Sequence, residues 1–248
     1  MAKVKQMLEL SAQARNTLSG SSENWMNFLK TASRVYKYQF PDQLMIFMQR
    51  PDAVACADFN TWNRRMNRSI RAGAKGIALI ASQNGVPHVQ YVFDVSDTVP
   101  RANSRGLKLW SLENEHMSAV LKSLEQYSDS SDLFSRIIAA SEQIAADYWI
   151  NNRNQIINSV ENSFLEEYDE ITLKGHFCNL VAISTQYSVL SRCGLQPDRY
   201  FSQEDFSLYE WNTSDAINIL GTAVSNSSNL LLRQIERTII NFEREKER

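Results

Sequence analysis

Residues 76–96 read GIALIASQNGVPHVQYVFDVS, and this stretch decides the fold class. Gly76–Ser82 is a continuous apolar run, Asn84-Gly85 is the dipeptide that a two-residue hairpin turn favours, and His88–Ser96 alternates in character. The two runs predict antiparallel strands, with Val89, Tyr91, Phe93 and Val95 on one face and His88, Gln90 and Asp94 on the other. Two strands alone are marginal in water, so the hairpin needs a packing partner. The segments before it supply one.

Upstream, the pattern is helical. From Ser22 to Tyr38 the residues Trp25, Phe28, Leu29, Ala32, Val35 and Tyr36 share one side, while Lys30, Arg34 and Lys37 lie opposite. Pro41 suits the first position of a short helix, PDQLMIFMQ, that ends before Pro51. A third helix is expected from Asn60, a good N-cap, through TWNRRMNRSIRA to Gly73. Downstream, Val99–Gly106 (VPRANSRG) reads as a connector. Beyond it helical periodicity dominates, over roughly 113–127, 131–149, 153–167, 173–193, 203–209, 213–223 and 226–246. Gly194 followed by Pro197 marks a stop, and Ser202 and Thr213 suit N-caps. The expectation is an α+β chain: an extension over 1–21, a small helix-plus-β-hairpin unit over 22–106, and an acidic, mostly α-helical bundle over 107–248.

With 248 residues, 43 % hydrophobic and 22 % charged, the composition is that of a globular protein with a real core. No run approaches the roughly 18–20 apolar residues that span a bilayer, so no membrane partner is expected. The opening residues MAKVKQMLELSAQARN lack the apolar centre of a signal peptide. Cys56, Cys178 and Cys193 show no CxxC spacing, which suits reduced thiols in a cytoplasmic setting. The formal net charge of −2 conceals a division. Residues 1–110 carry 15 Lys+Arg against 7 Asp+Glu, a balance of +8, and residues 111–248 carry 11 against 21, a balance of −10. Such asymmetry signals an anion-binding half joined to something else. Alternatively, the halves neutralise one another across a shared interface.

The basic half carries the candidate site. On the expected helix 60–72, Trp62, Met66 and Ile70 form a stripe, with Arg64, Arg68 and Arg71 opposite, Arg65 on the flank and Lys75 just beyond Gly73. Arginine presents a planar fork that bonds phosphate oxygens and stacks on bases, which suits a nucleic-acid backbone. Lys30, Arg34, Lys37 and Arg50 extend the set. The plain alternative is a solvated basic face. Aromatic residues interleave with this charge, as single-strand binders require. Trp25, Phe28 and Trp62 fall at core spacing, which leaves Tyr38, Phe40 and Tyr91 as the stacking candidates. The candidate nucleic-acid-binding set is thus Lys30, Arg34, Lys37, Tyr38, Phe40, Arg50, Arg64, Arg65, Arg68, Arg71 and Lys75.

Signals for catalysis are weak. The sequence has no phosphate loop, no HExxH, no GxSxG and no zinc spacing. Glu166, Glu167, Asp169 and Glu170 form an acidic run, but a hard-cation site needs carboxylates converging from separate elements, and a contiguous run more often marks a solvated helix end. His88, His116 and His176 are scattered without visible partners. Cys193 sits at a helix C-terminus, where the dipole disfavours a thiolate. No enzyme, metal or cofactor is expected.

The run YKYQFPDQLMIFMQRPDAVACADFNTWNRRMNRSIRAGAKGIALI (36–80) resembles a block of very large conjugative-element proteins, where it precedes helicase-like and methyltransferase-like regions. It is also similar to the N-terminal domain of ArdC-type antirestriction proteins, through Trp62, Arg71, Gly73, Lys75 and Gly76 and the strand VFDVSDT (92–98). SVLSRCGLQPDRYF (188–201) and WNTSDAINILGTAVSNSSNLLLRQIERTI (211–239) resemble the same large proteins. The histidine-glutamate motif of the ArdC-type metallopeptidase-like domain is missing here, as are the helicase and methyltransferase segments. The resemblance implies a mobile-element anti-defence protein that binds single-stranded DNA or RNA, guide RNA included, without catalysis. The alternative it leaves open is a protein-directed inhibitor whose acidic helical half docks on a host CRISPR or restriction nuclease.

Overall fold

Asn84 and Gly85, with φ of 52° and 77°, close the expected hairpin in the left-handed conformation that asparagine and glycine tolerate. A computed structural model describes residues 2–104, 106–107 and 109–248. Met1, Arg105 and Lys108, which fall in the expected extension, connector and helical half, lie outside the described residues. The hairpin strands are β3 (Ile77–Gln83) and β4 (Val86–Asp94), and β1 (Cys56–Asp58) pairs antiparallel with the end of β4 to give the order β1-β4-β3. The buried face is the opposite of the one the alternation suggests. Val92 and Asp94 are buried, while Tyr91 is exposed. The register explains this, because Val92 pairs with Ile77. Both then pack with Leu79 against Val35, Met45, Ile46 and Ala53. The cost of burying Asp94 is offset by four hydrogen bonds. Its Oδ2 accepts from the N–H groups of Val54 (2.7 Å) and Ala55 (2.9 Å), and its Oδ1 from the N–H and hydroxyl of Ser96.

The first helix, α1 (Ala2–Ser19), buries Ala14 and Leu18 in the main core, so this segment is an integral element rather than an extension. Helix α2 (Ser22–Arg34) is capped by Ser21 and ends one turn before the expected Tyr38. Side chains of the last helix take the carbonyls that a continuing helix would have used. Asn229 Nδ2 donates to Tyr36 O and Ser225 Oγ to Tyr38 O. Helix α3 (Phe40–Gln49) starts with proline in its first turn, as expected.

The helix expected over 60–72 does not form. Thr61–Arg65 makes a single π-turn anchored by Asp58 Oδ1, which accepts the Thr61 N–H at 2.6 Å. Asn67 then adopts φ of 50°, which ends the turn. Residues Arg68–Ile70 become β2, paired antiparallel with β5 (Thr98–Pro100) as a separate two-stranded ribbon. A distant strand therefore overrides a local pattern that satisfies helical spacing.

The second half is helical: α4 (Met117–Ser123), α5 (Leu133–Ser159), α6 (Glu170–Arg192) and α7 (Ser214–Lys246). Two expected breaks are absent. Helix α5 runs through Ile150–Asn152, where Asn151 and Asn152 bond back to the carbonyls of Asp147 and Tyr148 instead of breaking the helix. Helix α7 likewise continues through 224–225, where neither proline nor glycine intervenes. The helix expected over 203–209 is one 3₁₀ turn, Gln203–Phe206. Packing does not divide at 106. Trp25, Phe28, Phe40 and Leu44 share one core with Trp149, Phe177, Tyr187, Trp211 and Leu220, and Trp25 Nε1 donates to Ser184 Oγ at 2.9 Å. The β-elements hang from this body through the smaller cluster around Ile77, Leu79 and Val92. The fold is α+β and mostly helical.

Candidate nucleic-acid interface

The eleven candidate residues fall into two groups. The first is committed to the protein itself. Arg34 donates to the carbonyls of Ala53 (2.7 Å) and Pro51 (2.5 Å) and lines the inside of that turn, where burial lowers its pKa against the pull of Asp52 and Asp94. Arg50 is held by Asp97 (3.0 Å), Asp52 (3.1 Å) and the Ser96 hydroxyl. Lys30 pairs with Asp198 at 3.0 Å and Lys37 with Glu236 at 2.6 Å. These last two pairs join the basic half to the acidic half, so part of the charge division is neutralised at a shared interface.

Two of the three stacking candidates are also committed, while the third, Tyr91, keeps an exposed ring on β4. Tyr38 donates its hydroxyl to Cys56 O at 2.9 Å, and burial pushes its pKa well above the usual tyrosine value. Phe40 is fully buried, with its ring edge-on to Phe28. An aromatic with no exposed face cannot stack on a base. Trp62 behaves as its spacing suggests: it is buried, and its Nε1 donates to Phe93 O at 2.8 Å.

The second group is different. Arg64 and Arg65 on the π-turn, and Arg71 and Lys75 around the glycine turn after β2, are all exposed. Arg64, Arg71 and Lys75 have no ion pair or side-chain hydrogen bond among the described residues, and Arg65 has only the neighbouring Asp58 carboxylate, whose pKa it helps to lower. Gly73, with φ of 81°, makes the tight turn that sets Arg71 and Lys75 on either side of it. Arg68 is intermediate, since its Nε donates to Thr98 Oγ1 at 2.7 Å and stiffens the ribbon.

The candidate set read from the sequence leaves out two members of this surface. Arg101 follows β5 and donates to Ser69 Oγ at 2.6 Å while remaining exposed, which brings it to the same ribbon. Phe59, between β1 and the π-turn, is 52 % exposed and is the aromatic ring best placed beside the arginines along the chain. The arginines therefore stand on a twisted two-stranded ribbon and its turns, not on one helix face.

A cleft of about 790 Å³ lies elsewhere, between Tyr36–Tyr38, Cys56, Trp110 and the end of α6. Its cations are spoken for. Lys37 pairs with Glu236, and the Arg192 guanidinium stacks on the Trp110 ring at 3.7 Å while donating to Trp110 O. Three of the four residues of the acidic run take structural roles. Asp169 caps α6 by accepting the Thr172 N–H, Glu170 pairs with Arg153, and Glu166 accepts the Asn162 N–H. His176 has a partner the sequence does not reveal, Glu210 at 3.3 Å. Among the described residues no three His, Cys, Asp or Glu side chains gather where a metal ion would sit, and no helix is long and apolar enough to cross a membrane. Set against known proteins, the chain matches no family model, no curated protein and no solved structure.

Proposed function

We propose that the protein binds single-stranded DNA or RNA without catalysis, holding the phosphate backbone on the β2–β5 ribbon. One observation carries the reading: Arg64, Arg71 and Lys75 are exposed without a counter-charge, while Lys30, Arg34, Lys37 and Arg50 are each paired or bonded. Cations left without acidic partners attract polyanions and release the polyanion's counterions on contact. Arginine rather than lysine at most of these positions suits bidentate phosphate contact and stacking on exposed bases. Phe59 supplies the aromatic surface that Tyr38 and Phe40 do not. A role against host defence on a mobile element comes from the resemblance of residues 36–80, 188–201 and 211–239, and the ribbon supplies a physical means for it.

The test is fluorescence anisotropy with a labelled single-stranded oligonucleotide across a salt series. Combined Arg64→Ala, Arg65→Ala, Arg71→Ala and Lys75→Ala should weaken binding. The dependence of log affinity on log salt should flatten by about 0.7 for each phosphate that is no longer neutralised. Lys30→Ala with Lys37→Ala should leave both quantities unchanged. An unaltered slope in the fourfold variant, with its circular dichroism intact, overturns the assignment.

A further inference from the structure

We propose that copies of this chain associate head to tail, with the Phe164–Tyr209 end of one copy seated on the arginine ribbon of the next. The observation behind this is an apolar pair that the fold leaves uncovered. In the turn between α5 and α6, Ser163 and Leu165 point inward, so Phe164 between them points out and is 51 % exposed. Tyr209 is 71 % exposed, and the two rings lie in contact with centroids 5.2 Å apart. The pair is held in place, since the Phe164 N–H donates to Asn212 Oδ1 at 3.0 Å. Ile171, on the first turn of α6, is 85 % exposed nearby in the chain. Exposed aromatics fixed in this way mark a contact surface more than scattered apolar residues do.

Charge selects the occupant. The same two connecting segments carry Glu161, Glu166, Glu167 and Glu204, none with an ion pair among the described residues. An apolar pair within uncompensated acids fits a surface that mixes cations with apolar side chains. This chain presents such a surface: Arg64, Arg65, Arg71 and Lys75, with Phe59 and Val99 exposed among them. The two patches do not meet within one molecule. Helix α1 runs between their neighbourhoods, with Lys3 over the Tyr91 ring and Arg15 beside Asp215. The twelve steps from Lys3 to Arg15 rise about 18 Å along the helix, longer than a Debye length of about 10 Å at 0.1 M salt. Two different patches make a heterologous contact, which propagates into short chains instead of closing as a symmetric dimer. Association through the ribbon also competes with nucleic acid, a consequence that rests on the function proposed above.

Sedimentation velocity of the full chain, free of nucleic acid, tests the proposal. Association should grow with protein concentration at about 0.05 M salt and weaken at least about tenfold at about 0.5 M, as screening predicts. Phe164→Ser with Tyr209→Ser should give a monomer, as should the independent pair Glu167→Lys with Glu204→Lys. Arg64→Glu with Arg71→Glu should give a monomer by removing the other patch. Mixing the Arg64→Glu, Arg71→Glu variant with the Phe164→Ser, Tyr209→Ser variant should then produce a dimer and nothing larger, because each supplies one intact patch and the two altered patches are both acidic. A wild-type monomer at every concentration overturns the proposal, and so do variants that still associate alone or fail to pair when mixed. A monomer that instead binds a lysine-rich peptide through Phe164 and Tyr209 overturns the choice of occupant. Association that persists when every copy carries a bound oligonucleotide leaves the head-to-tail contact standing and overturns the ribbon as the nucleic-acid site.

Discussion

Gly221 on α7 lies directly beneath the ring of Phe40 on α3, so close that a methyl group built on the glycine falls inside the ring's van der Waals envelope. The contact fastens the first 50 residues to the long C-terminal helix. It also explains a glycine in mid-helix, which ordinarily costs about 1 kcal/mol relative to alanine. Gly221→Ala should therefore destabilise the protein by about 1–3 kcal/mol, the cost of overpacking, despite the gain in helix propensity. Chemical denaturation followed by circular dichroism measures this, and a stabilised variant would show that the ring moves aside freely.

Arg34 and Lys37 sit three residues apart and carry the same formal charge, yet their removal should differ sharply. Arg34→Ala strips hydrogen bonds from the carbonyls of Pro51 and Ala53 at a partly buried turn, a loss of about 2–3 kcal/mol. Lys37→Ala breaks one half-exposed ion pair with Glu236, worth at most about 1 kcal/mol. Urea denaturation of the two variants should separate them clearly. Equal losses would mean that the Arg34 bonds do not hold the turn.

The contrast shows what sequence can convey. Asn84-Gly85, Pro41 and the Thr213 cap are legible because each acts on its own backbone. Thr213 does accept the Ala216 N–H, at 3.2 Å. Residues 60–72 mislead because Trp62, Met66 and Ile70 satisfy helical spacing, while the partner that makes 68–70 a strand is Thr98–Pro100. Phe40 beside a basic run looks the same whether it stacks on a base or on Gly221, and only the tertiary contact decides. The charge division is legible, but which cations are already paired is not, since Asp198 and Glu236 reach Lys30 and Lys37 from the far half of the chain. The free arginines survive that sorting. Their helical presentation does not.

The cysteines should be poor nucleophiles. Burial, with Asp94 nearby, pushes the Cys56 thiol up to about 12, and burial likewise pushes Cys193 to about 12 against the pull of Arg192. The Cys178 thiol is also raised by burial. Since the thiolate is the reactive form, a disulfide reagent at about pH 8 should modify the folded protein far more slowly than the urea-unfolded chain, whose thiols titrate near 8.5. One thiol reacting at the unfolded rate would show that its neighbourhood opens readily.

Asp94 should make stability depend on pH in the acid range. Burial favours its neutral form, but the hydroxyl and N–H of Ser96 and the N–H groups of Val54 and Ala55 outweigh this, so its pKa lies below the usual carboxylate value. A carboxyl lowered in the folded state stabilises the protein above its unfolded pKa of about 3.9, and that contribution is lost as the pH falls through the folded value. Asp94→Asn keeps the size of the side chain but turns an amide N–H₂ toward donors that need an acceptor. The variant should be less stable by about 2–3 kcal/mol near neutral pH, the range for hydrogen bonds to a charged group. As the wild-type carboxylate becomes protonated, the difference should narrow. Urea denaturation of both proteins at about pH 7 and again at about pH 3, below the unfolded pKa, measures it. The gap should shrink at the lower pH. A gap of equal size at both values would mean that the charge on Asp94 contributes nothing and that its shape alone holds the 53–56 segment on β4.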